Sequence, residues 1–148
     1  INSLKKLEYR GYDSAGIATL SDGEINEVKS EGRVDNLENN FDLKNLKGNI
    51  GIGHVRYPTA GCDDVIESQP FYTANPISIS LAHNGTQIKT DDIKSQLIKT
   101  HFCQFNTDSD SEVILNHIAY EISKIKFRKI NKVHIFKALE KVYNSVSG

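Results

Sequence analysis

Apolar positions recur along this chain at two periods, and the change from one to the other separates strands from helices. Leu4 and Leu7 fall at helical spacing ahead of Tyr9-Arg10-Gly11, as if a helix were entered midway. Ala15 to Leu20 is a short apolar run, Ser21-Asp22-Gly23 is turn-forming, and Glu24 to Lys29 resumes an extended pattern. Asp-Gly between two such runs predicts a hairpin. Val34 to Leu46 has no firm period, so a short helix and an irregular connection both stay open. From Gly48 to Val55, Ile50, Ile52 and His54 occupy one face and glycines the other, which predicts a strand lying close against another backbone.

Residues 56–76 are rich in Pro, Gly, Asp, Ser and Gln without a period, and a connection of that length is usually functional. Ile77, Ile79, Leu81 and His83 then alternate with small residues, predicting a half-buried strand with Asn84 at its tip. Asp91 to Lys99 reads as a short helix. Ser109-Asp110-Ser111-Glu112 has capping-box spacing before a stripe of Ile114, Ile118, Ile122 and Ile125, so a helix starts at about Asp110. A last amphipathic helix runs from Asn131, a good cap, through Phe136, Leu139 and Tyr143. This order of elements suggests a layered fold of helices and sheet.

The chain has 148 residues, enough for one domain or most of one. Eighteen basic side chains face nineteen acidic ones, so no general field draws nucleic acid or an anionic membrane, and any anionic substrate needs local residues. No apolar run approaches the roughly 18 residues of a membrane span, and a cytoplasmic location is expected. Cys62 and Cys103 form neither a CxxC pair nor a disulfide framework, so neither structural zinc nor an export-type scaffold is indicated. Ile1 at the start and the abrupt Ser147-Gly148 end read as truncations.

Four clusters hold the candidate chemistry: Leu7 to Gly16 (LEYRGYDSAG), Gly53 to Gly61 (GHVRYPTAG), Ala82 to Gly85 (AHNG) and Ser109 to Glu112 (SDSE). Taken singly, each has a plain structural reading. A lone Arg56 is more often a surface or ion-paired group. Asp110 suits the positive end of a helix, and Asn84-Gly85 is a common turn. His54 and His83 fit satisfied, partly buried histidines.

In this order, over nearly the whole chain, the four clusters resemble the glutaminase domain of class II glutamine amidotransferases. The resemblance implies an α+β fold, the four-layer αββα sandwich of N-terminal-nucleophile hydrolases, with residues 1–148 forming a partial domain. It implies a cysteine nucleophile at the mature N-terminus, upstream of Ile1, whose α-amino group is the base; neither Cys62 nor Cys103 matches it. A free amine with a pKa near about 8 can take a proton at neutral pH. The fragment alone is therefore expected to be inactive.

The resemblance also assigns roles. Arg56 would grip the α-carboxylate of glutamine, for which a guanidinium fork is suited, and Asp110 its α-ammonium. The Asn84 side chain and the Gly85 N–H would form the oxyanion hole. Arg10 and Gly11 would support the active site. Residues 57–61 would close over the substrate, with Thr59 in contact through its hydroxyl. Glutamine is the partner, with an ammonia-acceptor domain C-terminal to these residues and a homo-oligomeric full-length protein. No cofactor is expected in this stretch, and magnesium only in a phosphoribosyltransferase domain beyond it.

Two branches of the family are visible. Leu7 to Ala18 looks most like the branch that passes ammonia to fructose 6-phosphate for hexosamine synthesis. Residues 48–148 look most like the branch that passes it to phosphoribosyl pyrophosphate for purine synthesis, and the larger part favours the latter. A non-catalytic glutamine-binding module stays open beside these, as does a weaker idea, a thiol hydrolase using Cys62 with His54 or His83.

Overall fold

The computed structural model describes residues 1–57, 65–87, 90–101, 103–126 and 129–146. The chain divides into two compact units, Ile1–Phe71 with Ser80–His83, and Tyr72–Ile79 with Asn84–Gly148. Helices and sheet are mixed, as the α+β expectation requires.

In the first unit, helix α1 (Asn2–Leu7) runs into a 3-10 turn at Glu8–Arg10, then strand β1 (Ser14–Ser21) and strand β2 (Glu24–Glu31) form the expected hairpin. Asp22 and Gly23 both have positive φ, 52° and 85°, which a two-residue turn between right-twisted strands demands. Helix α2 (Val34–Asn40) settles the segment left open by the sequence. Its N-terminus has no cap from Arg33; the Glu8 carboxylate instead accepts from the Val34 N–H at 2.6 Å.

Strand β3 (Ile50–Arg56) completes a three-stranded antiparallel sheet of order β2-β1-β3. Cross-strand partners share a face, so Ala15 and Val55 project together, as do Ser14 with Arg56 and Gly16 with His54. Ala15 faces the helices, forming the core with Leu4, Val34 and Leu37, against which Ile17, Val28 and Val55 pack. The glycine face of β3 admits α1: a Cβ on Gly53 would stand 2.9 Å from a Leu4 methyl. At Gly53 the close neighbour is thus a helix side chain, whereas Gly51 and Gly48 lie against the β1 backbone foreseen from the alternation, at the Ala18 and Leu20 carbonyl oxygens. On the opposite face, Gly16 lies against Gln69, where a Cβ would be 2.2 Å from the Gln69 carbonyl oxygen.

Strands β4 (Phe71–Thr73) and β5 (Ile79–Leu81) pair with each other. The expected alternation from Ile77 to His83 thus yields only three strand residues, and Asn84 follows β5 after two non-strand residues, Ala82 and His83.

Helices α3 (Thr90–His101), α4 (Asp110–Ser123) and α5 (Lys132–Ser145) belong to the second unit. Helix α4 buries Val113, Leu115, Ile118, Ala119 and Ile122, a wider face than the isoleucine stripe; Ile114 and Ile125 are half-buried. Glu121 on α4 pairs with Lys141 of α5 at 3.3 Å, with Lys124 on its own helix beside it. On α5 the buried positions are Ala138 and Val142, while Phe136, Leu139 and Tyr143 are exposed. Asn131 caps α5 reciprocally: its Oδ1 accepts from the Val133 and His134 N–H groups, and its own N–H donates to His134 Nδ1 at 3.3 Å.

Among the described residues no helix is long and apolar enough to cross a membrane, and no group of three or more His, Cys, Asp or Glu is placed to hold a metal ion.

Candidate active site

Arg56 ends β3, directly opposite Ser14 at the start of β1. Contacts with Asp13 and Gly11 help to set its position. The Asp13 N–H donates to its carbonyl at 3.2 Å, and the Asp13 carboxylate lies 3.6 Å from its Nη1, both side chains being mostly buried. At Gly11, a Cβ would come within 2.3 Å of the Arg56 carbonyl oxygen and 2.5 Å of the Tyr57 nitrogen. Gly11 has an extended φ of 165°, so contact rather than backbone conformation excludes a larger residue. Arg10, beside it, ends the 3-10 turn and is exposed.

His54 shares the Arg56 face of β3. Burial pushes its pKa down; a hydrogen bond with the His83 backbone opposes this, and the nearby His83 and Arg56 charges add to it. Its Nδ1 is buried and makes no hydrogen bond among the described residues, so the expectation of a satisfied histidine holds only for part of the ring. The His83 N–H donates to Gln69 Oε1 at 2.7 Å, which fixes the stretch leaving β5. Ser14, Ser68 and Ser80 hydroxyl oxygens are likewise buried without a partner among the described residues.

In the second unit, Asp110 begins α4 and both carboxylate oxygens are engaged. Oδ2 accepts from the Gln87 N–H at 2.7 Å and Oδ1 from the Ser111 hydroxyl at 3.2 Å. A carboxylate has about four acceptor positions, so among the described residues two stay open for a further donor. Gln87 closes the stretch that opens with Asn84 and Gly85, so the same bond ties this exposed Asn-Gly turn to the start of α4. Ser109 caps the helix by accepting from the Ser111 N–H at 3.3 Å. Glu112 does not complete the expected capping box. Its carboxylate turns toward the preceding loop and accepts from the Asn106 and Thr107 N–H groups and the Thr107 hydroxyl. Those donors lie on one short turn, and the Ser109 N–H that a capping box would use donates to the Thr107 hydroxyl at 3.2 Å instead.

Of the residues singled out in the sequence, Arg56, Arg10 and Gly11 come together in one unit, and Asn84, Gly85 and Asp110 in the other. Thr59, Cys62 and the rest of the loop at 58–61 lie outside the described residues. Cys103 is a half-buried free thiol whose pKa burial raises, which disfavours the thiolate. Sequence reasoning missed Asp13, Gln69, Thr107 and the backbone donor of Gln87. Asp13 had a signal in its place within the Arg10-Gly11-Tyr12-Asp13 run; a backbone N–H carries none.

No protein-family model matches the chain. Individual relatives do. The amidophosphoribosyltransferase of Schizosaccharomyces pombe is 40% identical over 146 residues, 98% of this chain and 27% of the relative. That of Escherichia coli K12 is 36% identical over 148 residues, 99% of this chain and 29% of the relative. The glutamine–fructose-6-phosphate aminotransferase of Clostridium acetobutylicum is 42% identical over 120 residues, 81% of this chain and 19% of the relative. Among solved structures, the glutamine phosphoribosylpyrophosphate amidotransferase of Bacillus subtilis with ADP and GMP superposes with a TM-score of 0.75 at 27% identity. It covers 96% of this chain, which spans 29% of that one. A structure described as the allosteric regulatory enzyme of purine biosynthesis gives 0.79 at 29% identity, with 98% and 30% covered.

The chain is homologous to class II glutamine amidotransferases and has the α+β fold of their glutaminase domain. Within that class it is related to the amidophosphoribosyltransferases along nearly its whole length, and to the hexosamine branch over a shorter stretch. It spans less than a third of the length of these relatives.

Proposed function

We propose that these residues are the glutamine-holding part of an amidophosphoribosyltransferase that hydrolyses glutamine to glutamate and ammonia for transfer to phosphoribosyl pyrophosphate. The observation that carries the reading is the 2.7 Å bond from the Gln87 N–H to Asp110, which brings the acid and the Asn84-Gly85 turn together in a stretch related to these enzymes.

In this reading Arg56, preset by Asp13, takes the α-carboxylate of glutamine, and Asp110 takes the α-ammonium on its open acceptor positions. Thr59 adds a hydroxyl contact. The class's N-terminal cysteine attacks the side-chain amide carbonyl. The oxygen becomes an anion held by the Asn84 amide and the Gly85 N–H, ammonia leaves with the proton taken from the thiol, and water hydrolyses the thioester to glutamate. An oxyanion donor of this kind contributes about 3 kcal/mol in the transition state. Neither cysteine of the chain serves as the nucleophile: burial disfavours the Cys103 thiolate, and Cys62 does not match the family position. The 148 residues alone are therefore inactive. A cytoplasmic, homo-oligomeric protein with its acceptor domain, and any magnesium, C-terminal to these residues completes the reading.

The relation to the hexosamine branch favours one alternative acceptor, fructose 6-phosphate. Assay of the intact protein with glutamine and each acceptor tests both. Phosphoribosylamine formation supports the reading, glucosamine 6-phosphate formation replaces it with the alternative, and glutamine binding with no glutamate release identifies a non-catalytic module.

A further inference from the structure

Glu112 is nine-tenths buried, and among the described residues it has no ion-pair partner. A buried carboxylate without a counter-charge persists only when hydrogen bonds replace its water. Here the donors come from one short turn. The Asn106 N–H lies at 3.0 Å from Oε1 and 3.2 Å from Oε2. Oε2 also accepts from the Thr107 N–H at 2.8 Å and the Thr107 hydroxyl at 2.7 Å.

The chain of bonds continues toward Asp110. The Thr107 hydroxyl oxygen accepts from the Ser109 N–H at 3.2 Å, and Ser109 caps α4 through the Ser111 N–H. The Ser111 hydroxyl then donates to Asp110 Oδ1. Capping of the helix is already supplied by Ser109, and interaction with the helix dipole would be served by an acid left in water. Neither accounts for a carboxylate turned inward onto residues 106–107. Fixing the direction in which the backbone enters α4, and so the aim of the Asp110 carboxylate, does account for it.

We propose that Glu112 is a positioning residue that sets Asp110 for the ammonium of glutamine, acting through Thr107 and Ser109. The proposal rests on the reading of Asp110 as the ammonium acceptor. Glu112 does not touch the substrate; it makes the affinity for glutamine depend on a carboxylate two residues beyond the binding one.

The test is the steady-state kinetics of glutamate release by the intact protein in E112Q, E112A, T107V and D110N, with melting temperatures measured in parallel. E112Q can keep the two Thr107 bonds but sets an amide NH2 against the Asn106 N–H, so KM for glutamine should rise about threefold or more with kcat within twofold. E112A should raise KM further, making E112Q a partial rescue. T107V keeps both backbone donors to Glu112 and removes the hydroxyl, which breaks its bond to Glu112 and the link to Ser109 together; it should reproduce the KM rise with a smaller drop in melting temperature than E112A, and it decides the case if E112A does not fold. A KM rise in D110N together with unchanged KM in E112Q and T107V would overturn the proposal and leave the Asp110 reading standing. Unchanged KM in D110N would overturn both.

Discussion

Gly11 rests on the backbone of Arg56, so close that a Cβ would stand 2.3 Å from the arginine's carbonyl oxygen. The contact is with main chain, which cannot swing aside as a flexible side chain would. An alanine at position 11 must therefore push β3 outward at the residue assigned to the substrate carboxylate. We expect G11A to lose about 1–3 kcal/mol of stability, as overpacked sites do, and to raise KM for glutamine. Urea unfolding and glutaminase kinetics on the same preparation check both, and a variant with native stability and KM contradicts the contact's role.

Asp13 holds the same arginine from its side chain. Its carboxylate is 3.6 Å from Arg56 Nη1, and its N–H bonds the Arg56 carbonyl. D13N keeps the backbone bond and removes the charge, so the guanidinium loses its orientation while the strand stays in place. An ion pair at this distance contributes about 1 kcal/mol, which corresponds to a KM increase of about fivefold. A lowered KM would show instead that Asp13 competes with the substrate carboxylate.

The histidine of β3 gives a pH dependence with a definite sign. Burial depresses the His54 pKa below 6.5 in the folded protein, so the unfolded chain takes up its proton first on acidification. The contribution of His54 is fully present above about pH 6.5 and is lost as pH falls through the folded value. His117, also depressed mainly by burial, acts in the same direction. Stability should drop between pH 7.5 and 5.5, and by less in H54Q. Equal losses in the two proteins would remove His54 from the account.

Helix α5 begins with a reciprocal cap between Asn131 and His134. N131A removes the acceptor for two N–H groups and should cost about 1 kcal/mol. Far-ultraviolet circular dichroism during thermal unfolding reads this loss, and glutamine KM should not move.

The elements that local chemistry dictates were legible in the sequence. Asp22-Gly23 supplies the positive φ of the hairpin turn, the Ile50/Gly51/Ile52/Gly53 alternation gives β3, and Ser109 and Asn131 mark two helix starts. Partnership across the fold was not. The pattern Phe136, Leu139, Tyr143 defines an apolar face of α5, yet the face turned inward carries Ala138 and Val142, because periodicity says that a face exists and not what covers it. Glu112 had the right spacing for a capping box, and three donors on the preceding turn took it elsewhere. Arg56, Asn84, Gly85 and Asp110 were singled out through motif order, whereas the bond from Gln87 to Asp110 could only be seen in three dimensions.

In the function proposed for this chain, Arg56 and Asp110 hold glutamine. The measurement that tests it most directly is KM for glutamine in the intact protein carrying R56K. Lysine keeps the positive charge but cannot present two parallel N–H donors to a carboxylate. The account predicts a KM at least about tenfold higher, equivalent to about 1.4 kcal/mol of lost binding, with glutamate still released at saturating glutamine. An unchanged KM would contradict it.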